Sequence, residues 1–117
     1  MADLFRVELL GSVNVVELCL PESLDAVEFD RLNAAILGLL DAHRAKPWVL
    51  DLSHVTYLGS AMLGLIVNVR QRVKMADGQL VLCGMSPRLL EIFRACSMER
   101  LFTIARNRAD AIRIVER

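Results

Sequence analysis

A short, nearly continuous apolar run, Trp48-Val49-Leu50-Asp51-Leu52-Ser53, lies near the middle of the chain. A strand with one face in water alternates apolar and polar side chains, so a run that barely alternates calls for cover on both faces. The run therefore predicts a central strand, and Leu80-Val81-Leu82-Cys83 reads the same way. Amphipathic segments separate such strands. Asp25 and Glu28 form a capping-box start, after which Phe29, Leu32, Ile36, Leu39 and Leu40 recur at helical spacing until Lys46-Pro47 stops the run. A second helix is expected from Gly59-Ser60 to about Met75, with Met62, Leu65, Ile66, Val69 and Val73 on its core stripe. Ser86-Pro87 opens a third, cap residue first and proline at the first helical position, with Leu89, Ile92, Phe93 and Cys96 on the inner face.

At the start, Leu4 to Leu10 and Val13 to Leu20 flank Gly11-Ser12, the pattern of a hairpin. At the end, Leu101 to Ile104 suits a last short strand, and Arg108 to Val115 a helix with Ile112 and Val115 inward. The order is ββαβαβαβα, an α/β class with a mixed sheet of about four to five strands reached largely by right-handed crossovers. The chain of 117 residues suits one domain spanning 1–117. In sheets of this kind the productive surface lies beyond the carboxyl ends of the strands, which directs attention to residues 53 to 63.

Charge narrows the classes of function. Fourteen basic residues balance fourteen acidic ones without blocks of like sign, which disfavours nucleic acid or an anionic membrane as partner. Although 55% of the residues are hydrophobic, charges interrupt every apolar run before it reaches the roughly 18 residues of a membrane span. Met1 to Arg6 lacks the basic and apolar regions of a signal peptide, so a cytoplasmic location is expected. Cys19, Cys83 and Cys96 sit in apolar segments with no C-x-x-C pairing and read as buried thiols. No serine-histidine-acid arrangement, glycine-rich phosphate loop or set of metal ligands stands out, so catalytic residues, cofactor and metal are all expected to be none.

Val49 to Gly64 reads V-L-D-L-S-H-V-T-Y-L-G-S-A-M-L-G. This resembles the signature of STAS domains, in which an apolar strand ending D-L-S passes through a V-x-x-apolar loop into D-S-S-G-L-G or a variant that opens a helix. Gly78 to Gly84, Ser86-Pro87 with its helix, and Leu101-Phe102-Thr103-Ile104 follow in the family's order, so the resemblance covers essentially the whole chain. The similarity is to the anti-sigma factor antagonist branch. What it implies is a non-enzymatic module that binds an anti-sigma factor serine kinase or related regulator, and whose phosphorylation at the first serine of D-S-S breaks the complex. That serine falls on Ser60. The resemblance departs at Gly59, where aspartate is usual, at Ala61, where a second hydroxyl is common, and at Met62, where glycine is common.

Within this reading His54, Tyr57, Gly59, Ser60, Leu63 and Val67 are the candidate partner-binding residues, with Arg70 and Lys74 as a basic border. Plainer readings stand beside these. Ser60 is otherwise a helix-capping hydroxyl, Leu63 and Val67 widen the core stripe, His54 and Tyr57 pack the loop, and Asp51 and Ser53 hydrogen-bond the loop backbone. Gly59 and Ala61 favour an alternative in which the chain is an unphosphorylated docking subunit of a lipid-transport complex or signalling scaffold. A third, a nucleotide or small-molecule sensor at the strand ends, lacks a basic phosphate cradle.

Overall fold

A computed structural model describes residues 4–116 apart from 22, 44 and 45; Met1 to Asp3, part of the N-terminal stretch read above, lie outside the described residues. The elements are β1 (Phe5–Leu9), β2 (Asn14–Leu18), α1 (Ala26–Ala42), β3 (Trp48–Asp51), α2 (Ser60–Met75), β4 (Leu80–Cys83), α3 (Pro87–Ala95), β5 (Thr103–Ala105) and α4 (Arg108–Val115). The predicted ββαβαβαβα order is observed. The strands lie in sequence order, β1-β2-β3-β4-β5, with β1 antiparallel to β2 and the other neighbours parallel.

Successive right-handed crossovers in one direction across a sheet put every crossover helix on the same face. Val16, Leu18, Leu50 and Leu82 share that face with the buried side chains of α1, α2 and α3, including Leu32, Ile36, Leu65, Ile66, Leu89 and Phe93. The opposite face carries Val13, Val15, Val49, Val81, Cys83 and Ala105, covered by Ala111 and Val115 of α4. Adjacent residues of β3 and β4 thus enter different cores, which is why these strands read as continuous apolar runs. Both caps predicted at helix starts are present: Asp25 and Glu28 form the capping box of α1, and Ser86 Oγ accepts from Leu89 N at 3.2 Å with Pro87 at the first position of α3.

Four expectations need correction. Cys96 is exposed rather than inward, because α3 ends at Ala95 and Ser97, at φ 56°, turns the chain away. Cys19 is half-buried, which leaves Cys83 as the buried thiol; burial and the neighbouring Asp51 charge push its pKa up to about 12. The last strand starts at Thr103 rather than Leu101, since residues 99–101 wind into a 3-10 turn. In α4 the deepest side chain is Ala111, while Ile112 is only half-buried.

Two glycines adopt left-handed backbone, Gly11 at φ 71° in the hairpin and Gly84 at φ 73° after β4. A Cβ on Gly11 would meet nothing within 4 Å, whereas one on Gly84 would lie 2.9 Å from both Asp51 Oδ1 and Ser53 Cβ, and 3.0 Å from Ser53 N. Gly11→Ala should therefore cost about 1 kcal/mol of backbone strain. Gly84→Ala should cost about 2–4 kcal/mol, because overpacking adds to the same strain. Urea denaturation of the two variants beside the parent chain checks this order.

Candidate functional site at the start of α2

The site is built from the end of β3 onward. Leu52 is buried and its N–H donates to Cys83 O at 2.9 Å, which carries the chain one step past the strand before it turns. Val55 N donates to Leu52 O at 3.0 Å, and the side chains of Val55 and Leu58 plug into the core. These two anchors are the apolar positions of the V-x-x-apolar pattern. Because they point inward, His54, Thr56 and Tyr57 are held outward and exposed. Val55 and Leu58 anchor the loop in the core, and His54 and Tyr57 meet the rest of the domain only through surface contacts, His54 with Glu17 and Tyr57 with Arg88.

Gly59 is the N-cap of α2, with extended backbone at φ −83° and ψ 175° and no side-chain cap bond. Ser60 follows as the first helical residue and is exposed. It is therefore not the capping hydroxyl. Its Oγ stands beside the unpaired N–H groups of the first turn, where a negative charge is favoured. Nothing about the backbone requires glycine at 59, since its φ is negative and an added Cβ would meet only Tyr57 Cε2 at 4.0 Å.

A groove of about 440 Å³ separates this helix start from the chain entering α1. Leu20, Pro21, Leu24, Phe29, Tyr57 and Met62 supply its apolar lining, and Gly59, Ser60 and Ala61 its rim. Across the loop, the Arg88 guanidinium lies 5.5 Å from the centre of the Tyr57 ring, a cation–π contact that steadies an otherwise exposed aromatic against α3. Leu63 is placed differently from the partner-binding expectation: at 8% exposure it belongs to the buried core that α2 covers, as in the plainer reading. Val67 is half-buried against the same core. Arg70, expected as part of a basic border, turns its Nε to Leu101 O at 2.6 Å, while Lys74 remains exposed.

An ionic hub missed at the level of sequence holds this end of the sheet. Asp51 is only 5% exposed; its Oδ1 accepts from Ser53 N at 2.9 Å and Ser53 Oγ at 2.5 Å, and its Oδ2 accepts from Arg108 Nε at 3.0 Å. The Ser53 bonds match the expected loop role. Arg108, the first residue of α4, also reaches Glu17 Oε2 at 2.6 Å and Glu8 Oε2 at 3.0 Å. One guanidinium thus joins β1, β2, β3 and α4. Burial alone would raise the Asp51 pKa, but the hydrogen bonds from Ser53 and Arg108 outweigh it and hold the carboxyl below its ordinary value. His54 Nε2 stands 3.6 Å from Glu17 Oε1, so the hub reaches the loop before Ser60.

The STAS domain family model matches residues 6–111. The chain belongs to the STAS domain family. Among curated proteins it is 28% identical over 93 residues, 80% of this chain and 79% of the relative, to BtrV of Bordetella bronchiseptica, which carries an anti-sigma factor antagonist assignment. A STAS domain protein from Planctomyces limnophilus superposes with a TM-score of 0.83 at 20% identity, covering 97% of this chain and 98% of that one. SpoIIAA of Bacillus, described as a cell fate determinant and solved in its phosphorylated form, superposes at 0.68 with 18% identity over 95% of this chain and 98% of that one. These structural likenesses establish the shared STAS fold.

The depressed pKa of Asp51 fixes the sign of its contribution with pH. Stability from the hub is fully present above the unfolded carboxylate value near 4 and is lost as pH falls below it toward the folded value. Arg108→Met should cost about 2 kcal/mol at pH 7, below the usual cost of breaking a fully buried pair because the guanidinium is partly exposed. It should also flatten the fall in stability below pH 4. Urea midpoints for both proteins between pH 7 and pH 3 measure the two effects together.

Proposed function

We propose that this STAS domain is an anti-sigma factor antagonist-like binding module of a bacterial partner-switching system, docking through the surface at the start of α2 and controlled by phosphorylation of Ser60. The observation that carries the proposal is the position of Ser60, exposed as the first residue of α2 on the rim of an apolar groove. A serine kinase partner would transfer the γ-phosphoryl group of ATP to Ser60 Oγ, releasing ADP while the hydroxyl proton leaves to a base of the kinase. The product gains roughly −1.5 to −2 charges, which the N-terminal N–H groups and helix dipole accommodate within the domain. A partner seated on the apolar groove would instead meet a desolvated dianion. Binding and modification are thereby opposed.

Tyr57 supplies the exposed aromatic anchor of this surface, His54 and Gly59 flank it, and Val67 extends it along the helix. Leu63 supports the surface from below. The assignment of BtrV as an anti-sigma factor antagonist favours the same class of partner. A second reading, a constitutive docking subunit of a larger assembly, is favoured by Gly59 and Ala61, which leave the first turn of α2 without the aspartate and second hydroxyl that accompany the switch serine in relatives.

The two readings separate in one experiment. With a cognate anti-sigma serine kinase and ATP, phosphate should appear on Ser60 by mass spectrometry and be absent from Ser60→Ala. Ser60→Asp should weaken capture of the partner at least about tenfold while Ser60→Ala binds like the parent chain. Unmodified Ser60 together with equal capture by both variants would favour constitutive docking. Tyr57→Ala should weaken partner binding about tenfold under either reading, with little effect on stability because the ring is exposed.

A further inference from the structure

The edge of the sheet formed by β1 carries an arrangement that the STAS assignment does not explain. Its one sheet neighbour is β2, and among the described residues no strand pairs with its outer side. The bonds Cys19 N to Leu4 O and Leu10 N to Val13 O show that even-numbered residues of this stretch turn their backbone toward β2. Phe5, Val7 and Leu9 therefore turn their N–H and C=O groups outward. Their side chains stand on the helix-covered face, because Phe5 pairs with Leu18 and Val7 with Val16, both core residues of that layer. Yet Val7 is 37% exposed, Leu9 53% and the following Leu10 44%. The layer of α1 leaves this apolar rim uncovered.

Natural edge strands usually carry charge to keep sheets apart. Here the order of the charges does the reverse. The strand reads Phe5-Arg6-Val7-Glu8-Leu9. Against an antiparallel second copy centred on Val7, Arg6 faces Glu8 of that copy and Phe5 faces its Leu9, on both sides of the two-fold axis. Phe5, Val7 and Leu9 then make about six backbone hydrogen bonds between the strands, while Arg6 and Glu8 form the non-hydrogen-bonded pairs in which side chains approach most closely. Sliding two residues either way sets Arg6 against Arg6 or Glu8 against Glu8, and like charges directly opposed disfavour both alternatives. We propose that β1 is a self-association edge, pairing antiparallel about Val7 with β1 of a second copy to make one continuous sheet across the dimer.

The axis of such a dimer is perpendicular to the sheet, so the α1–α3 layers of both copies lie on the same side. The carboxyl ends of the two β3 strands point in opposite directions, and both α2 surfaces stay open to partners. The contact rests on one short strand from each copy, less than the roughly 1,600 Å² of a standard stable interface, so the dimer dissociates on dilution.

Sedimentation equilibrium of the full chain over a concentration series tests this with V7K, R6E, E8K and an equimolar mixture of the last two. Circular dichroism confirms the fold of each; V7K leaves the ion pairs of the Arg108 hub untouched, R6E removes the 4.0 Å contact of Arg6 with Glu17, and E8K removes one exposed carboxylate from the hub. The parent chain should show a monomer–dimer equilibrium. Each variant alone should dimerise at least about tenfold more weakly, since each places like charges opposite one another. Mixing R6E with E8K should recover association near the parent level, because in the mixed dimer one charge pair is native and the other reversed. A parent chain that remains monomeric up to about 1 mM overturns the proposal. So does a dimer that R6E and V7K leave unchanged, or one that mixing does not restore, because the interface then lies elsewhere.

Discussion

The carboxyl end of the sheet depends on one buried carboxylate. Asp51 closes β3, and a charge removed from water at that depth is tolerated only when its oxygens are satisfied and an opposite charge is near. Ser53 satisfies one oxygen from the loop it begins, and Arg108 the other from the start of α4. Gly84, at the end of the neighbouring strand, leaves room for this contact by having no side chain. The loop toward α2, the exit of β4 and the last helix are thereby tied to a single atom group.

That constraint explains why a short loop without regular structure can present a defined surface. Its beginning is held by Asp51 and Leu52, its middle by Val55 and Leu58, and its end by the first turn of α2. What remains outside these anchors is His54, Thr56, Tyr57 and Ser60. The exposed set is the complement of the anchored set. A surface of this kind is pre-organised by the core beneath it, so a partner docking there as proposed would not need to order the loop. Phosphate on Ser60 would change the charge of the surface without disturbing its supports, since none of the anchors involves the serine hydroxyl.

Much of the fold was legible because it follows from local patterning. Short apolar runs located the strands and 3.6-residue apolar spacing the helices, and the caps at Asp25 and Ser86 were readable because a cap is a contact between residues three apart. Errors arose where local pattern was interrupted by a turn. Cys96 continues the apolar spacing of α3, but the helix ends one residue earlier, at Ala95, and the left-handed Ser97 that follows turns the chain away. Leu101 reads as strand by composition, but the 3-10 turn after Met98 takes it first. Within the candidate site, a contiguous motif pointed to Ser60 and the loop, while the burial of Leu63 went against the partner-binding expectation because a helical projection gives angles around an axis and not the direction of the neighbouring layer.

The sequence by itself determined the layered α/β class, the strand order's raw material and the position of Ser60 at a helix start, since each depends on residues near one another along the chain. Only the tertiary structure decided the Asp51–Arg108 hub, whose members are 57 residues apart, the groove between the α1 entry and α2, and the uncovered rim of β1. The physical reason is common to all three. A buried aspartate signals that a cation must be near but does not name it, and the cover given to a strand depends on where a distant helix lands.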